Sequence, residues 1–209
     1  MQIPLFPLNT VLFPAGVLPL RVFEARYMDM VRRCMKDATP FGVVLIAKGS
    51  EIGGPAQTEE FGTLATIAAW DMPQLGVLHL RAIGGDRFRI ESSTAQPDGL
   101  KLAQVELIEP DEDLPLDEGN QACAELLRRV IDDVAGKRRD DADADPINSA
   151  PFEPPYRFDS SVWVGNRLAE FLPVPLRARQ KLLQLQDASA RLDVVRRYLE
   201  QHGVLKSAT

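Results

Sequence analysis

Cysteine and histidine are scarce. The 209-residue chain has two cysteines, Cys34 and Cys123, and two histidines, His79 and His202, each pair far apart in sequence. No CxxC, HExxH or comparable spacing occurs, so neither a zinc site nor a disulfide framework is expected. The thiols read as reduced and buried, as in a cytoplasmic protein. Nucleotide-binding glycine patterns are missing as well: there is no G-x-x-x-x-G-K-[ST] loop and no G-x-G-x-x-G turn. A G-x-S-x-G nucleophile elbow is also absent. Members of a Ser-His-Asp triad come from distant positions, so spacing alone does not exclude one. His79, however, falls mid-strand and His202 near the end of a terminal helix, where structural or surface roles suffice. No cofactor is expected. Positive charge is in deficit, with 24 Lys and Arg against 30 Asp and Glu, a net charge of −6 and a pI of about 5.0. That balance argues against covering nucleic-acid phosphates, which takes clustered basic side chains. The acidic run Asp140, Asp141, Asp143 and Asp145 lacks the glycine and distal glutamate of a calcium loop and reads as a solvated charge run.

An unbroken apolar run long enough for a membrane is also wanting. The nearest approach, IPLFPLNTVLFPAGVLPLRV at 3–22, is interrupted by Pro4, Pro7, Asn9, Pro14 and Pro19. Interior prolines delete helical hydrogen bonds and clash with the preceding turn. A spanning helix needs about 20 apolar residues, and an export signal needs a basic start, an unbroken apolar run and a small-residue cleavage site. Neither fits. Short strands do, because proline is tolerated at strand starts, edges and bulges.

Alternation and turn residues predict strands over 3–8, 17–23, 41–47, 61–70, 75–83, 87–93 and 100–108. Lys48 to Glu60 reads as a loop, Asp71-Met72-Pro73-Gln74 as a turn, and Gly84-Gly85-Asp86 as a tight hairpin turn. Between the second and third strands, Tyr27, Met30, Val31 and Cys34 recur at helical spacing, which predicts a helix over 24–36. Arg26 could pair with a carboxylate elsewhere, and the stretch Phe23 to Tyr27 reads as a structural junction between strand and helix. After Ile108 the composition shifts to an acidic, proline-containing linker and then to helical periodicity. Asp117 is placed to cap a helix ending near Gly136. Ser160 or Ser161 starts a second, Pro175 suits the first turn of a third, and Asp187 or Ser189 caps a last one ending at Gly203. The reading is an α+β chain: a β-rich barrel or curled sheet with one inserted helix over 1–110, then a helical bundle over 111–209, with a mobile segment at 137–158.

Several stretches, in this order, resemble one family: IPLFPLNTVLFPAGVLPLRVFEARY, FGTLATI, LRAIGGDRFRI and LAEFLPVPLRARQKLLQLQDASARLDVVRRYL. They are similar to the N-terminal substrate-recognition domain of Lon proteases, and closer still to small free-standing proteins built from that domain. The resemblance implies a six-stranded, PUA-like pseudo-barrel followed by a helical bundle. It does not carry protease activity across, since the chain is expected to have neither the ATPase module nor the Ser-Lys peptidase domain. Cereblon shares the fold and binds ligands through a separate zinc-binding domain, whose cysteines are not present here.

What the resemblance implies is a non-enzymatic module for unfolded or tagged polypeptide. The alternatives are an adaptor for one folded partner, such as a protease or chaperone, and a small-molecule or RNA-binding PUA-like module. No membrane partner is expected. The candidate polypeptide-binding residues are Phe13, Phe23, Tyr27, Trp70, Met72, Tyr156 and Trp163, of which more than half are expected to serve the core. Trp70 and Met72 stand out because they flank the expected turn WDMPQ, where a large apolar side chain is hard to bury.

Overall fold

The computed structural model describes residues 1–51, 56–139, 147 and 151–206. It divides into two compact units, one built from Met1–Pro110 and Ile147, the other from the remaining described residues beyond Pro110. Of the segment expected to be mobile, 137–158, residues 140–146 and 148–150 lie outside the described residues.

The first unit contains β1 (Gln2–Leu8), β2 (Val17–Val22), α1 (Ala25–Asp37), β3 (Phe41–Lys48), β4 (Gln57–Gln74), β5 (Val77–Ala95) and β6 (Lys101–Leu107). The strand order is β2-β5-β4-β3-β1-β6, and β6 pairs back onto β5. Five strands therefore close a ring, and β2 is appended to the first part of β5. Every pairing is antiparallel except that of β1 with β3. This is the pseudo-barrel.

The long β5 makes closure possible. Its residues Leu78–Ile83 face β2, and Phe88–Ala95 face β6. The handover is a bulge. Between the pairs Thr63↔Arg87 and Ala65↔Gly84, β4 advances two residues while β5 advances three. Extra residues of this kind bend and twist a strand. The expected hairpin turn at Gly84-Gly85-Asp86 is therefore corrected: the strand continues through it. The turn lies at Leu75-Gly76, where Gly76 adopts φ 84°. Gly84 is needed for a different reason. A Cβ there would sit 2.2 Å from the carbonyl oxygen of Phe13. Without one, the Phe13–Gly16 turn docks on the strand. Ala15 N–H donates to the Gly84 carbonyl (2.7 Å) and Gly84 N–H donates to the Gly16 carbonyl (2.9 Å). The expected turn at Asp71–Gln74 is likewise strand, with a register shift between Asp71 and Gln74 that accommodates Pro73.

The prolines of the opening stretch follow the pairing. Residues Gln2–Leu5 of β1 pair with β6, and Leu5–Leu8 pair with β3. Pro4 and Pro7 thus each occupy a half of β1 that has a strand on one side only. Pro19 lies in β2, whose one neighbour among the described residues is β5. A proline costs no ladder bond where its nitrogen faces the unpaired side.

Inside the ring, Phe88 is fully buried with Ile3, Leu5, Val44, Leu64, Ala103 and Val105. Its ring occupies the space that side chains at Gly42 and Gly62 would need. A larger cluster joins Phe6, Leu20, Phe41 and Leu80 to the inward stripe of α1: Tyr27, Met28, Met30, Val31 and Cys34. The 3.6-residue period of that stripe makes α1 a lid over apolar strands.

The second unit is helical. A short 3-10 turn at Glu118–Asn120 leads into α2 (Gln121–Arg139), followed by α3 (Ser161–Phe171), α4 (Leu176–Gln184) and α5 (Ala188–Gln201). Side-chain oxygens cap three of these starts. Asp117 accepts from Asn120 N–H (2.8 Å), Ser160 from Trp163 N–H (3.0 Å) and Asp187 from Ala190 N–H (2.9 Å). Each satisfies a donor that helix geometry leaves over. Arg191 is buried, yet its guanidinium is well supplied. It donates to the Leu182 and Leu185 carbonyls and to Asn166 Oδ1 (3.0 Å), and pairs with Asp111 at 2.7 Å. A buried charge is tolerable only with such partners.

Candidate functional site

The ring closes, but the sheet edge beside it does not. Among the described residues, β1 leaves β6 at Leu5, and β2 has β5 alone. A groove of about 390 Å³ lies here, lined by Phe6 and Leu8 of β1, Leu18, Pro19, Leu20 and Arg21 of β2, and Phe23 and Tyr27. Asn9, Thr10, Glu24 and Glu51 complete its lining. Successive strand side chains point to opposite faces. A groove touched by four consecutive residues, Leu18 to Arg21, therefore runs along the edge of β2.

Its interior is aromatic and aliphatic. Phe6 stacks on Tyr27 with ring centroids 4.2 Å apart and planes 15° apart. Arg26 lies 4.7 Å from the Tyr27 ring centroid, pairs with Glu24 at 2.7 Å and donates to the Gly99 carbonyl at 3.2 Å. Its partner is thus the neighbouring Glu24. Burial holds the Tyr27 phenol above its ordinary range, with Glu24 and Glu51 adding to the effect and Arg26 opposing it. The ring is a neutral wall at physiological pH. Glu51 accepts a hydrogen bond from Asn9 N–H, so the carboxylate sits near the β1 end, whereas Arg21 belongs to β2. The groove is apolar with charges of both signs around it.

A second apolar feature is the end of the β4–β5 arm. Trp70 is 53% exposed, Met72 36% and Leu75 93%. Trp70 and Met72 are two residues apart on one strand and Leu75 occupies the turn. Trp70 also borders a depression of about 440 Å³ with Met35, Ala38, Thr39 and Ile67.

The seven sequence candidates scatter. Phe23, 55% exposed, and Tyr27, buried but reaching the surface along one side, meet at the groove. Trp70 and Met72 meet on the arm. Phe13 is fully buried and offers no surface, because its segment docks under Gly84. Trp163 is buried within the second unit, edge-on to Phe158 at 5.3 Å, and the half-exposed Tyr156 packs 6.1 Å from it. Sequence reasoning missed Phe6, Leu18 and Leu20 as groove walls, and no local signal separates an edge leucine from a core one. It also missed Leu75, for which a signal existed: a leucine directly before the glycine of a two-residue turn has nowhere to be buried.

Neither cysteine lines the groove. Burial pushes the Cys34 thiol up, and the Cys123 thiol up to about 11, so both are protonated near neutrality. No helix among the described residues is long and apolar enough to cross a membrane.

Comparison with known proteins gives one consistent result. Residues 2–201 match the family model of the ATP-dependent protease La (LON) substrate-binding domain. The chain is 34% identical to a Lon N-terminal domain protein from Xanthomonas campestris whose crystal structure is known, with a TM-score of 0.72 over 93% of this chain and 96% of that one. The N-terminal domain of the Mycobacterium avium complex Lon protease shares the fold at 15% identity, with a TM-score of 0.57, 97% of this chain and 100% of that one covered. Among longer proteins, Lon protease of Paraburkholderia phytofirmans is 26% identical over 90% of this chain and 22% of its own length. Cereblon of Danio rerio is 30% identical over 54% of this chain and 27% of its own length. The chain thus spans about a quarter of these longer relatives. It belongs to the LON substrate-binding domain family.

Proposed function

We propose that the chain is a polypeptide-recognition module that binds without doing chemistry of its own. The observation that carries this reading is the apolar groove on the open edge of the pseudo-barrel, walled by the exposed Phe23 and the Phe6–Tyr27 stack. An apolar groove beside a strand edge suits a chain that exposes both main chain and apolar side chains, which is what an unfolded polypeptide offers. The family description as substrate-binding agrees. The groove asks for apolar character and extended shape, so the expected clients are many and poorly folded. Two free, buried thiols suit a cytoplasmic setting.

The test is fluorescence anisotropy of a labelled, permanently unfolded polypeptide titrated with this protein without ATP, the same polypeptide in its folded form serving as control. Saturable binding of the unfolded form alone is the expected outcome. Absence of binding at high protein concentration overturns the reading and shifts the weight to an adaptor for one folded partner. Strong, salt-sensitive binding of an RNA pool overturns it in favour of a PUA-like RNA module.

A further inference from the structure

We infer that the groove holds its polypeptide by strand addition: an extended, proline-free segment pairs its main chain with the outer edge of β2. This rests on the polypeptide reading above and adds the mode of binding and the sequence pattern it selects.

The phase of β2 carries the inference. Gly84 N–H donates across to the Gly16 carbonyl just before the strand begins. Direction alternates along a strand. Leu18, Leu20 and Val22 therefore turn their backbone groups toward β5, and Val17, Pro19 and Arg21 turn theirs outward, toward the groove. Proline falls on the outward phase, where its missing N–H costs no bond to β5. The edge then offers N–H groups at Val17 and Arg21 and carbonyls at Val17, Pro19 and Arg21. This pattern is a partly blunted edge. One donor is missing and one charged side chain stands on it, which limits pairing between copies while leaving enough groups for a short guest.

The flanks define the guest. On one side of it lie the apolar Phe6, Tyr27 and Phe23, so apolar residues at every second position are selected. The charges near the groove are mixed: Arg21 belongs to β2, Glu51 sits at the β1 end, and Glu24 is already paired with Arg26. This complements a near-neutral segment that brings a basic group toward Glu51. A polyanion would meet both carboxylates.

The probe is a fluorescein-labelled decapeptide of alternating valine and threonine with a terminal lysine, used with the full chain. Three versions are compared: unmodified, N-methylated at the valines, and N-methylated at the threonines. Strand addition predicts that N-methylation in at least one phase weakens binding tenfold or more, and that the unmodified peptide displaces the unfolded polypeptide. Arg21→Pro, which removes an outward donor while sparing the β5 ladder, is expected to weaken the unmodified peptide about tenfold at unchanged melting temperature. Because the methyl groups are on the peptide, that arm stays informative if the variant folds poorly. Tolerance of methylation in both phases overturns the inference. So does failure of the decapeptide to bind while the unfolded polypeptide still does, and that outcome leaves the broader reading standing. If neither binds, both fall.

Discussion

Truncating Phe23 to alanine tests the groove most directly. An aromatic side chain presents roughly 200 Å² when fully accessible. Phe23 is 55% exposed, so about 110 Å² remains for a bound polypeptide to cover. At about 25 cal/mol per Å² this is worth about 2.7 kcal/mol, or about a hundredfold in affinity, as an upper limit. Alanine retains part of the contact, and fixing the ring costs about 0.5 kcal/mol or more. The expected loss for Phe23→Ala is therefore roughly ten- to thirtyfold. The ring is also partly covered in the free protein, so the variant should lose about 1–2 kcal/mol of stability, and binding must be measured well below its melting transition. The assay is the anisotropy titration with unfolded polypeptide. Leu75→Ser is the control: this side chain is 93% exposed on the arm, so its loss leaves folding untouched and reports only on an apolar contact outside the groove. A folded Phe23→Ala protein that binds within twofold of the parent would refute the groove as the site. If Leu75→Ser then weakened binding instead, the arm would take its place.

Two further predictions concern the scaffold. Gly84→Ala places a methyl group 2.2 Å from a backbone oxygen that cannot swing aside. The Phe13–Gly16 turn must then move and its two hydrogen bonds weaken, so a loss of about 3 kcal/mol or more is expected in urea unfolding. Gly85→Ala meets nothing nearer than 3.7 Å and should cost less than about 1 kcal/mol. Equal costs at the two positions would contradict the bulge. The Cys123 thiol supplies a pH dependence. Its folded pKa is pushed up to about 11 from an ordinary value of 9.0, chiefly by burial. Above pH 9 the unfolded chain releases this proton while the folded one keeps it, so stability falls as pH rises toward 11. At pH 10 the loss is on the order of 1 kcal/mol. Unfolding of Cys123→Ala followed from pH 8 to 10.5 should show a shallower decline than the parent, and identical slopes would remove Cys123 from the explanation.

Local chemistry made most of the elements legible. The stripe Tyr27, Met30, Val31 and Cys34 marked α1, Asp117 marked a helix start, and the pairs Ser160 or Ser161 and Asp187 or Ser189 each bracketed one, the caps being Ser160 and Asp187. What remained hidden depended on partners distant in sequence. Gly84-Gly85-Asp86 has the composition of a tight turn, and only the approach of the Phe13 carbonyl shows that it is a bulge. Likewise Asp71–Gln74 has turn residues, but cross-strand pairing with Val77 and His79 draws it into β4. The groove was hidden for the same reason. Leu18 and Leu20 look like any alternating strand, and nothing in their own sequence says that β2 lacks a second neighbour.

The prolines join these observations. A barrel that closed completely would have little use for Pro7 and Pro19, since each removes a donor from its ladder. Here they stand on the two strands that flank the groove, Pro7 where β1 has lost β6 and Pro19 on the outer phase of β2. An edge rich in leucine and phenylalanine invites pairing with any exposed strand, including that of another copy. Proline blunts that tendency at single positions without making the surface polar. The same residues that exclude a membrane helix from the opening stretch thus let an apolar edge stay open. The edge can be left open because α1 and the Phe13–Gly16 turn hold the adjoining strands without it. Stability therefore comes from the closed ring and its helix, and under the proposed reading the open margin beside them is the part that binds.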